Sequence, residues 1–472
     1  MITVKLSQNK KQAQLLSTDN DDFCLIRENF SIPFKSFSKN KKFFPQRKYA
    51  ITPSGKFDIG LISEIKNFME LNQIPYEIDE ETKKCFEIGF KDPIIKQYSL
   101  SYRDHQQKSI KNALVKGRGV VVIPTAGGKT LIMCSIIESL RQNLNDLNAK
   151  SLVIVPSIQL VEQTAKDFED YGMKNITKWS GNNKPDPNAT TIIAGMQILL
   201  SDKTDLSFLS DVKIFLNDEC HGTKKANEIN NVFNFLNTNY RFGFTGTMPP
   251  CKLDCWNIIG KLGPIVYEEK TDDLKQKKYI SNFKVFILKI NHNPVPKFPI
   301  DINNPTDSYN KELEFLIHND KRNETICNLA NKLKNNTIIM VDRIDHGINL
   351  SSKLEKTTTR PFYFIRGSTD IEEREKIRSL MEERNDIIVI AVSKIFSTGI
   401  NIPNLHNIIF ATAGKAKIKI MQSIGRALRL HPTKTMAYIF DISDNTRYGT
   451  KHLEEREQLY LTENYNYEKK EI

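Results

Sequence analysis

No stretch of this chain approaches the roughly 18 consecutive apolar residues that a membrane-spanning helix needs, so no bilayer crossing is expected. The opening segment, Met1-Ile2-Thr3-Val4-Lys5-Leu6-Ser7-Gln8, lacks a basic region followed by an apolar one, and no secretory leader is expected from it. Cysteine is sparse. The seven residues Cys24, Cys85, Cys134, Cys220, Cys251, Cys255 and Cys327 are odd in number and scattered, without the paired short spacings of a disulfide framework or a four-ligand zinc site. Cys251 and Cys255, even with Cys220 and His221, offer a single Cys spacing and no second pair, which is too little for zinc. A reducing compartment is therefore the expected home.

What the chain has in excess is positive charge: 68 Lys+Arg against 56 Asp+Glu give a formal +12. That balance suggests a polyanionic partner, although dispersed lysine also serves as ordinary solvated surface. Hydrophobic residues make up 39% of the 472, enough to bury real cores, and the length predicts about three compact units.

From residue 119 onward, short β-branched runs alternate with helical patterns. Gly119 to Ile123, Leu152 to Val155, Thr191 to Ala194 and Ile214 to Leu216 have the length and composition of buried strands, and Leu131 to Leu140 carries apolar residues at helical spacing. The same texture resumes at Thr337 to Val341, Phe362 to Ile365, Ile387 to Val392, Asn407 to Phe410 and Ala437 to Phe440. Two α/β blocks built from βαβ units, each around a parallel sheet, are predicted. Asn291 to Asp307 holds four prolines with little periodicity and reads as a loop, with the hinge between blocks placed earlier, near Glu269 to Lys278.

The first 98 or so residues lack that rhythm and are predicted to form a separate small α+β unit. Within them, Ser31 to Ala50 contains six basic residues (Lys35, Lys39, Lys41, Lys42, Arg47 and Lys48) and no acid, interleaved with Phe34, Phe37, Phe43, Phe44 and Tyr49. Cations that track a backbone and aromatics that stack bases are what nucleic-acid surfaces use. The plainer alternative is a lysine-rich loop anchored by its Phe side chains.

The strongest local signal is Pro124-Thr125-Ala126-Gly127-Gly128-Lys129-Thr130, between a predicted strand and a predicted helix. Glycines let backbone N–H groups approach phosphates, the helix N-terminus adds partial positive charge, Lys129 reaches the β/γ-phosphates of ATP, and the Thr130 hydroxyl ligates Mg2+. The general P-loop pattern wants a further Gly where this chain has Ile123. Asp218-Glu219-Cys220-His221 follows an apolar strand, where an α/β sheet places its ligands. Asp218 is expected to bind Mg2+ through water and Glu219 to orient or deprotonate the attacking water. Arg426 and Arg429 share one face of a predicted helix, with Gly425 permitting close approach, and suit the role of arginine fingers.

In this order the motifs resemble those of the superfamily 2 DExH helicases, over roughly residues 99 to 445. Tyr102-Arg103-Asp104-His105-Gln106 resembles the adenine-recognising Q element, and Val155-Pro156-Ser157 with Leu160-Val161-Glu162-Gln163 resembles motif Ia. Ala194-Gly195-Met196-Gln197 is similar to the segment after it, and Asp218-Glu219-Cys220-His221 to motif II. Phe244-Thr245-Gly246-Thr247-Met248 is similar to motif III, Ile339-Met340-Val341 to motif IV, Ser397-Thr398-Gly399-Ile400-Asn401-Ile402-Pro403 to motif V, and Gln422 to Arg429 to motif VI. Within the superfamily the chain resembles the phage branched-DNA helicases of the UvsW group and their XPB-like relatives, also through Leu274 to Ser281 and Asp320-Lys321-Arg322-Asn323.

The resemblance implies two RecA-like parallel-sheet lobes in tandem behind the small N-terminal domain. The expected boundaries are an accessory, DNA-contacting domain over 1–98, lobe one over 99–275, lobe two over 276–450 and a tail over 451–472 that is mixed in charge and helix-compatible. It implies that Arg103, Gln106, Pro124, Thr125, Ala126, Gly127, Gly128 and Gly399 bind the nucleotide. Lys129, Asp218, Glu219, His221, Gln422, Arg426 and Arg429 are implied to carry hydrolysis. Pro156, Thr247 and Thr398 are expected to touch nucleic acid beside the N-terminal cations, mostly at backbone phosphate, with little sequence preference.

The function implied is ATP-dependent unwinding or branch migration of forks, Holliday junctions and R-loops in recombination, replication and repair. DNA, branched or single-stranded, is the expected partner, with a single-stranded-DNA-binding or recombination protein as a further one, a monomer as the expected state, and the cytoplasm of a bacterial or phage-infected cell as the location. Three alternatives stay open: an RNA helicase of the same superfamily, a nucleic-acid-binding or annealing protein with a vestigial motor, and the motor subunit of a restriction-type complex. A complete restriction enzyme is disfavoured by the lack of an acidic nuclease pattern. A vestigial motor is disfavoured because Lys129, Thr130, Asp218, Glu219, Arg426 and Arg429 are all present.

Overall fold

Runs that bury both faces of a strand belong inside parallel sheets, and the chain folds around two such sheets. The computed structural model describes residues 1–7, 11–37, 43–124, 127–181, 184–200, 204–224, 232–299, 307–393, 402, 404–411, 431, 434, 436–462 and 465–472. It divides into two compact units, one of residues 1–123 and 128–269, the other of 124–127 and 270–472.

The strands of the first unit are β1 (Ile2–Leu6), β2 (Gln12–Ser17), β3 (Ser31–Phe37), β4 (Phe43–Tyr49), β5 (Lys56–Asp58), β6 (Tyr76–Ile78), β7 (Gly119–Val122), β8 (Ser151–Val155), β9 (Ile176–Trp179), β10 (Thr191–Gly195), β11 (Ile214–Asn217), β12 (Tyr240–Thr245) and β13 (Ile265–Glu268). Those of the second are β14 (Asn282–Ile290), β15 (Thr337–Val341), β16 (Phe362–Ile365), β17 (Ile388–Val392), β18 (Asn407–Phe410), β19 (Met436–Asp444) and β20 (Tyr467–Glu471).

The first unit holds a seven-stranded sheet in the order β13-β7-β12-β11-β8-β10-β9, and every neighbouring pair in it is parallel. Alternation along its strands feeds two cores. Val121, Val153, Val155, Ile193, Leu216 and Phe242 face one way, onto helices Asp104–Lys116, Lys129–Asn143 and Ile158–Asp170. Val120, Val122, Leu152, Ile154, Ile192 and Phe215 face the other, toward helix Lys252–Leu262. The second unit repeats the plan in the order β16-β17-β15-β18-β19-β14-β20, again all parallel, with Ile338 and Met340 on one face and Ile339 and Val341 on the other. These are two tandem parallel-sheet lobes of RecA-like architecture.

Ahead of the first large sheet stand a four-stranded sheet, β5-β2-β1-β6, and the antiparallel ribbon β3-β4. The small sheet's core takes in Trp256 and Ile259 from helix Lys252–Leu262. Two glycines permit that approach: a Cβ on Gly60 would lie 2.0 Å from the Ile259 carbonyl oxygen, and one on Gly260 would lie 2.8 Å from the Asp58 Cβ. Lys261 closes the seam on Asp58 at 3.1 Å.

The C-terminal segment is helical only in part. Helix Arg447–Thr462 is followed by β20, which pairs in parallel with β14 at the sheet edge. Charge does not forbid this, because side chains on an edge strand reach solvent and each other, as Lys289 does with Glu471 at 3.0 Å. Among the described residues, no helix is long and apolar enough to cross a membrane.

Candidate functional site

Parallel sheets present their ligand sites at the carboxyl ends of their strands, and in the first unit β7 and β11 deliver the two candidate motifs there. Gly128 caps helix Lys129–Asn143 with φ 80° and ψ 37°, a left-handed conformation that suits glycine. A Cβ at Gly128 would lie 2.3 Å from the Gln106 Nε2, so a side chain is excluded by crowding as well as by conformation. Gln106 is itself fixed, since its Oε1 accepts from the Arg103 backbone N–H at 2.9 Å at the start of helix Asp104–Lys116. The first turn of helix Lys129–Asn143 carries no acidic residue, which suits its positive end to an anion.

Strand β11 ends at Asn217, and the Asp218 backbone N–H still donates to the Ile154 carbonyl at 2.8 Å, so the acidic pair starts from a rigid strand. Glu219 then turns left-handed, with φ 49°, an uncommon conformation for a non-glycine residue and one that clusters at functional sites. Its Oε1 accepts from the Lys129 Nζ at 3.2 Å, with the two side chains only 18% and 11% exposed. The other carboxylate oxygen lies 3.2 Å from the His221 Nδ1, which in turn lies 2.9 Å from the Thr245 Oγ1. The Thr245 hydroxyl donates to the Thr247 carbonyl at 2.9 Å. Because the Thr245 proton is already committed, the His221 Nδ1 carries the hydrogen and donates it to the Thr245 Oγ1, and the Glu219 Oε2 beside it is buried without a hydrogen-bond partner. A chain of close polar contacts therefore runs from Lys129 through Glu219 and His221 to Thr245 and Thr247, hydrogen-bonded except between Glu219 and His221, which meet at ion-pair distance.

The electrostatics divide the two acids. Burial and the adjacent Glu219 charge raise the Asp218 carboxyl above the ordinary aspartate range. Burial also opposes ionisation of Glu219, but Lys129 and His221 outweigh it and hold that carboxyl below its ordinary range. Burial disfavours the Lys129 charge, and Glu219 and Asp218 override it to raise the lysine. The Asp218 Oδ1 is buried with no hydrogen-bond partner among the described residues, an orphaned oxygen that fits a hydrated divalent cation. No group of three His, Cys, Asp or Glu side chains able to hold a metal occurs among the described residues.

On the same end of the sheet, beyond β8 and β10, Pro156, Ser157, Ser180, Gly181, Gly195 and Gln197 line a groove of about 180 Å³. Ser157 caps helix Ile158–Asp170, accepting from the Leu160 N–H at 3.3 Å. Sequence reasoning reached Pro156 but missed Ser180 and Gly181, which follow the short edge strand β9 and carry no motif.

The basic, aromatic stretch forms the β3-β4 ribbon, with Phe34 opposite Gln46 and Ile32 opposite Lys48. Arg47 is engaged internally, with Glu28 at 3.0 Å and the Ser31 hydroxyl at 2.8 Å, and the Lys48 ammonium sits 4.4 Å from the Phe34 ring centroid. The acid that restrains Arg47 lies just before the acid-free stretch, so a count within the stretch does not find it. Lys35 lies on β3. Its side chain, together with Lys39, Lys41, Lys42, Thr125, Ala126, Thr398, Gly399, Gln422, Arg426 and Arg429, falls outside the described residues.

Two family models match the chain: type III restriction enzyme, res subunit, over residues 99–250, and helicase conserved C-terminal domain, over residues 321–431. The ATP-dependent DNA helicase uvsW of Enterobacteria phage T4 is 27% identical, with 97% of each chain covered. The DNA 3'-5' translocase XPB2 of Sulfurisphaera tokodaii is 22% identical over 75% of this chain and 83% of its own. Among solved structures, the ATP-dependent type ISP restriction-modification enzyme LlaBIII bound to DNA matches with a TM-score of 0.59 at 16% identity, over 84% of this chain and 32% of that one. The S. cerevisiae protein Dbp5 bound to RNA and ADP BeF3 matches with a TM-score of 0.54 at 15% identity, over 78% and 89%. These two share the fold.

Proposed function

Because the chain belongs to the superfamily 2 helicases, we propose that it is an ATP-driven DNA motor that unwinds or branch-migrates forks, Holliday junctions and R-loops in the cytoplasm of a bacterial or phage-infected cell. The observation that carries the reading is the polar chain from Lys129 through Glu219 and His221 to Thr245 and Thr247, which links an anion-binding helix terminus to a carboxylate and onward to the next strand. Likeness to a phage DNA helicase along 97% of both chains supports DNA as the track.

In this reading the amides around Gly127 and Gly128 and the Lys129 ammonium bind the β- and γ-phosphates of ATP, while Arg103 and Gln106 read the adenine edge. Thr130 and Asp218 would hold Mg2+, which would supply positive charge at the transferred phosphoryl group. Without nucleotide, Lys129 is engaged with Glu219. A γ-phosphate draws the ammonium away, and the released carboxylate orients water and accepts its proton. His221, at ion-pair distance from Glu219 and hydrogen-bonded to Thr245, passes displacement of the carboxylate to Thr245 and Thr247. Gln422, Arg426 and Arg429 supply further positive charge at the phosphates, Gly399 lies with the nucleotide, and Pro156, Thr247, Thr398 and the β3-β4 cations meet the DNA backbone.

Comparing ATPase stimulation by branched DNA, single-stranded DNA and RNA tests the assignment. Branched DNA is expected to stimulate most. Stimulation by RNA alone would replace the reading with an RNA helicase.

A further inference from the structure

Strand β11 is apolar until its last residue. Ile214 and Leu216 face the core that holds helix Lys129–Asn143, Phe215 faces the other core, and by alternation Asn217 follows Phe215 onto that second face. Asn217 is 0% exposed, and neither its Oδ1 nor its Nδ2 has a hydrogen-bond partner among the described residues. No other described side chain carries two such orphaned atoms, and the Asp218 Oδ1 and Glu219 Oε2 continue the series without a break. A carboxamide stripped of water and left unpaired is costly, and native interiors rarely retain one that has no further use.

In register with Asn217 are Ile154 on β8 and Gly243 on β12, which share its face of the sheet. A Cβ on Gly243 would lie 2.9 Å from the Cys220 Sγ and 2.5 Å from the Leu262 Cδ1, so thiol and hydrocarbon crowd this level. Two residues further on, β8 has led into Pro156 and β12 has reached Thr245. Pro156 lines the groove beside Ser157, and Thr245 receives the His221 Nδ1 hydrogen and donates to the Thr247 carbonyl. Asn217 therefore stands at the last buried level between a segment read as meeting DNA and a segment read as answering Glu219.

We propose that Asn217 is a positioning residue that couples DNA to hydrolysis. Its carboxamide is unpaired in the resting fold and takes backbone partners from the loops leaving β8 and β12, around Pro156 and Gly246, once DNA holds those loops in the hydrolysing arrangement. The inference rests on the DNA-motor reading above. A carboxamide offers an accepting oxygen and two N–H donors, so it can accept an amide hydrogen from one loop and donate to a carbonyl of the other. A gain made only in the working state favours that state over the resting one, which is what coupling requires. Asn217 runs directly into Asp218 and the left-handed Glu219, φ 49°, so fixing its side chain fixes where both carboxylates start.

Two variants of the full-length protein test this: Asn217→Leu, which keeps the branching of the side chain and removes its polar atoms, and Asn217→Val, which is smaller and suits a strand. Without DNA both should melt at or above the parental temperature, because an orphaned carboxamide does not support the resting fold. The ratio of DNA-stimulated to DNA-free kcat should fall about tenfold at unchanged KM for ATP, the scale of one hydrogen bond made only in the working state. Stimulation at the parental ratio in either variant would overturn the proposal, since a merely structural asparagine leaves that ratio alone. A lower melting temperature in both variants would also overturn it, by showing that the carboxamide is already paired at rest. A parental protein that hydrolyses ATP but is not stimulated by any DNA would fail the DNA-motor reading itself and take this coupling with it.

Discussion

Replacing Glu219 with Gln keeps the volume of the side chain and removes its charge. The amide oxygen still accepts from Lys129 at the observed 3.2 Å, so the buried ammonium keeps a partner, and Asp218 next door loses the neighbour that raises its carboxyl. These two effects oppose each other, and the cost in stability should not exceed about 1–3 kcal/mol, the scale of a hydrogen bond to a charged group. Catalysis fares differently, because an amide cannot accept the proton of the attacking water. Positioned general bases contribute roughly 10²- to 10⁴-fold, so kcat for DNA-stimulated ATP hydrolysis should fall by about that factor while DNA binding persists. Steady-state hydrolysis, DNA binding by fluorescence anisotropy and a thermal melt on the same preparation separate the outcomes. A folded, DNA-binding variant that hydrolyses ATP at the parental rate would refute the role given to Glu219.

Gly128→Ala places a methyl group 2.3 Å from the Gln106 Nε2 at φ 80°, and should cost about 1–3 kcal/mol and weaken ATP affinity in calorimetric titration; unchanged affinity would mean that the glycine does not shape the nucleotide site. His221→Ala breaks the link between Glu219 and Thr245, so DNA stimulation of the ATPase should be lost while DNA-free hydrolysis survives, and a variant stimulated as strongly as the parent would remove His221 from the coupling. In the second unit, Asp444 is 1% exposed and meets Arg322 at 3.1 Å and His292 at 2.9 Å. Burial opposes its ionisation, but Arg322 and His292 prevail and hold the carboxyl below its ordinary range. The resulting stabilisation is complete above the unfolded-state value and disappears as pH falls through the lower folded value, so it should be lost below about pH 4. Asp444→Asn should start about 3–5 kcal/mol less stable at neutral pH and lack that acid transition in denaturant melts; equal stability at neutral pH would contradict the pairing.

Central strands were legible because burial on both faces forces continuous apolar runs: Leu152 to Val155 and Ile338 to Val341 could hardly be anything else. Edge strands were not. Residues 176–179 in β9 and 467–471 in β20 pair on one side only, so their composition is free to be polar, and backbone pairing across β10 and β14 rather than side-chain pattern decides them. The candidate nucleotide motifs could be picked out from local order because glycine, lysine and paired acids at strand ends each answer a specific chemical need. What local order could not supply was long-range company. The His221 hydrogen bond to Thr245, Glu28 restraining Arg47, and the buried pair Arg118 and Arg241 all depend on residues brought together only by the fold.

ATP-dependent strand separation on a model fork and a Holliday junction, compared with a linear duplex of the same sequence, tests most directly whether the chain is a branched-DNA motor. Rapid unwinding of both branched substrates with little action on the duplex, abolished by Lys129→Ala, is the predicted result. Equal rates on all three substrates would contradict the branched-DNA assignment, and activity that survives Lys129→Ala would contradict the motor itself.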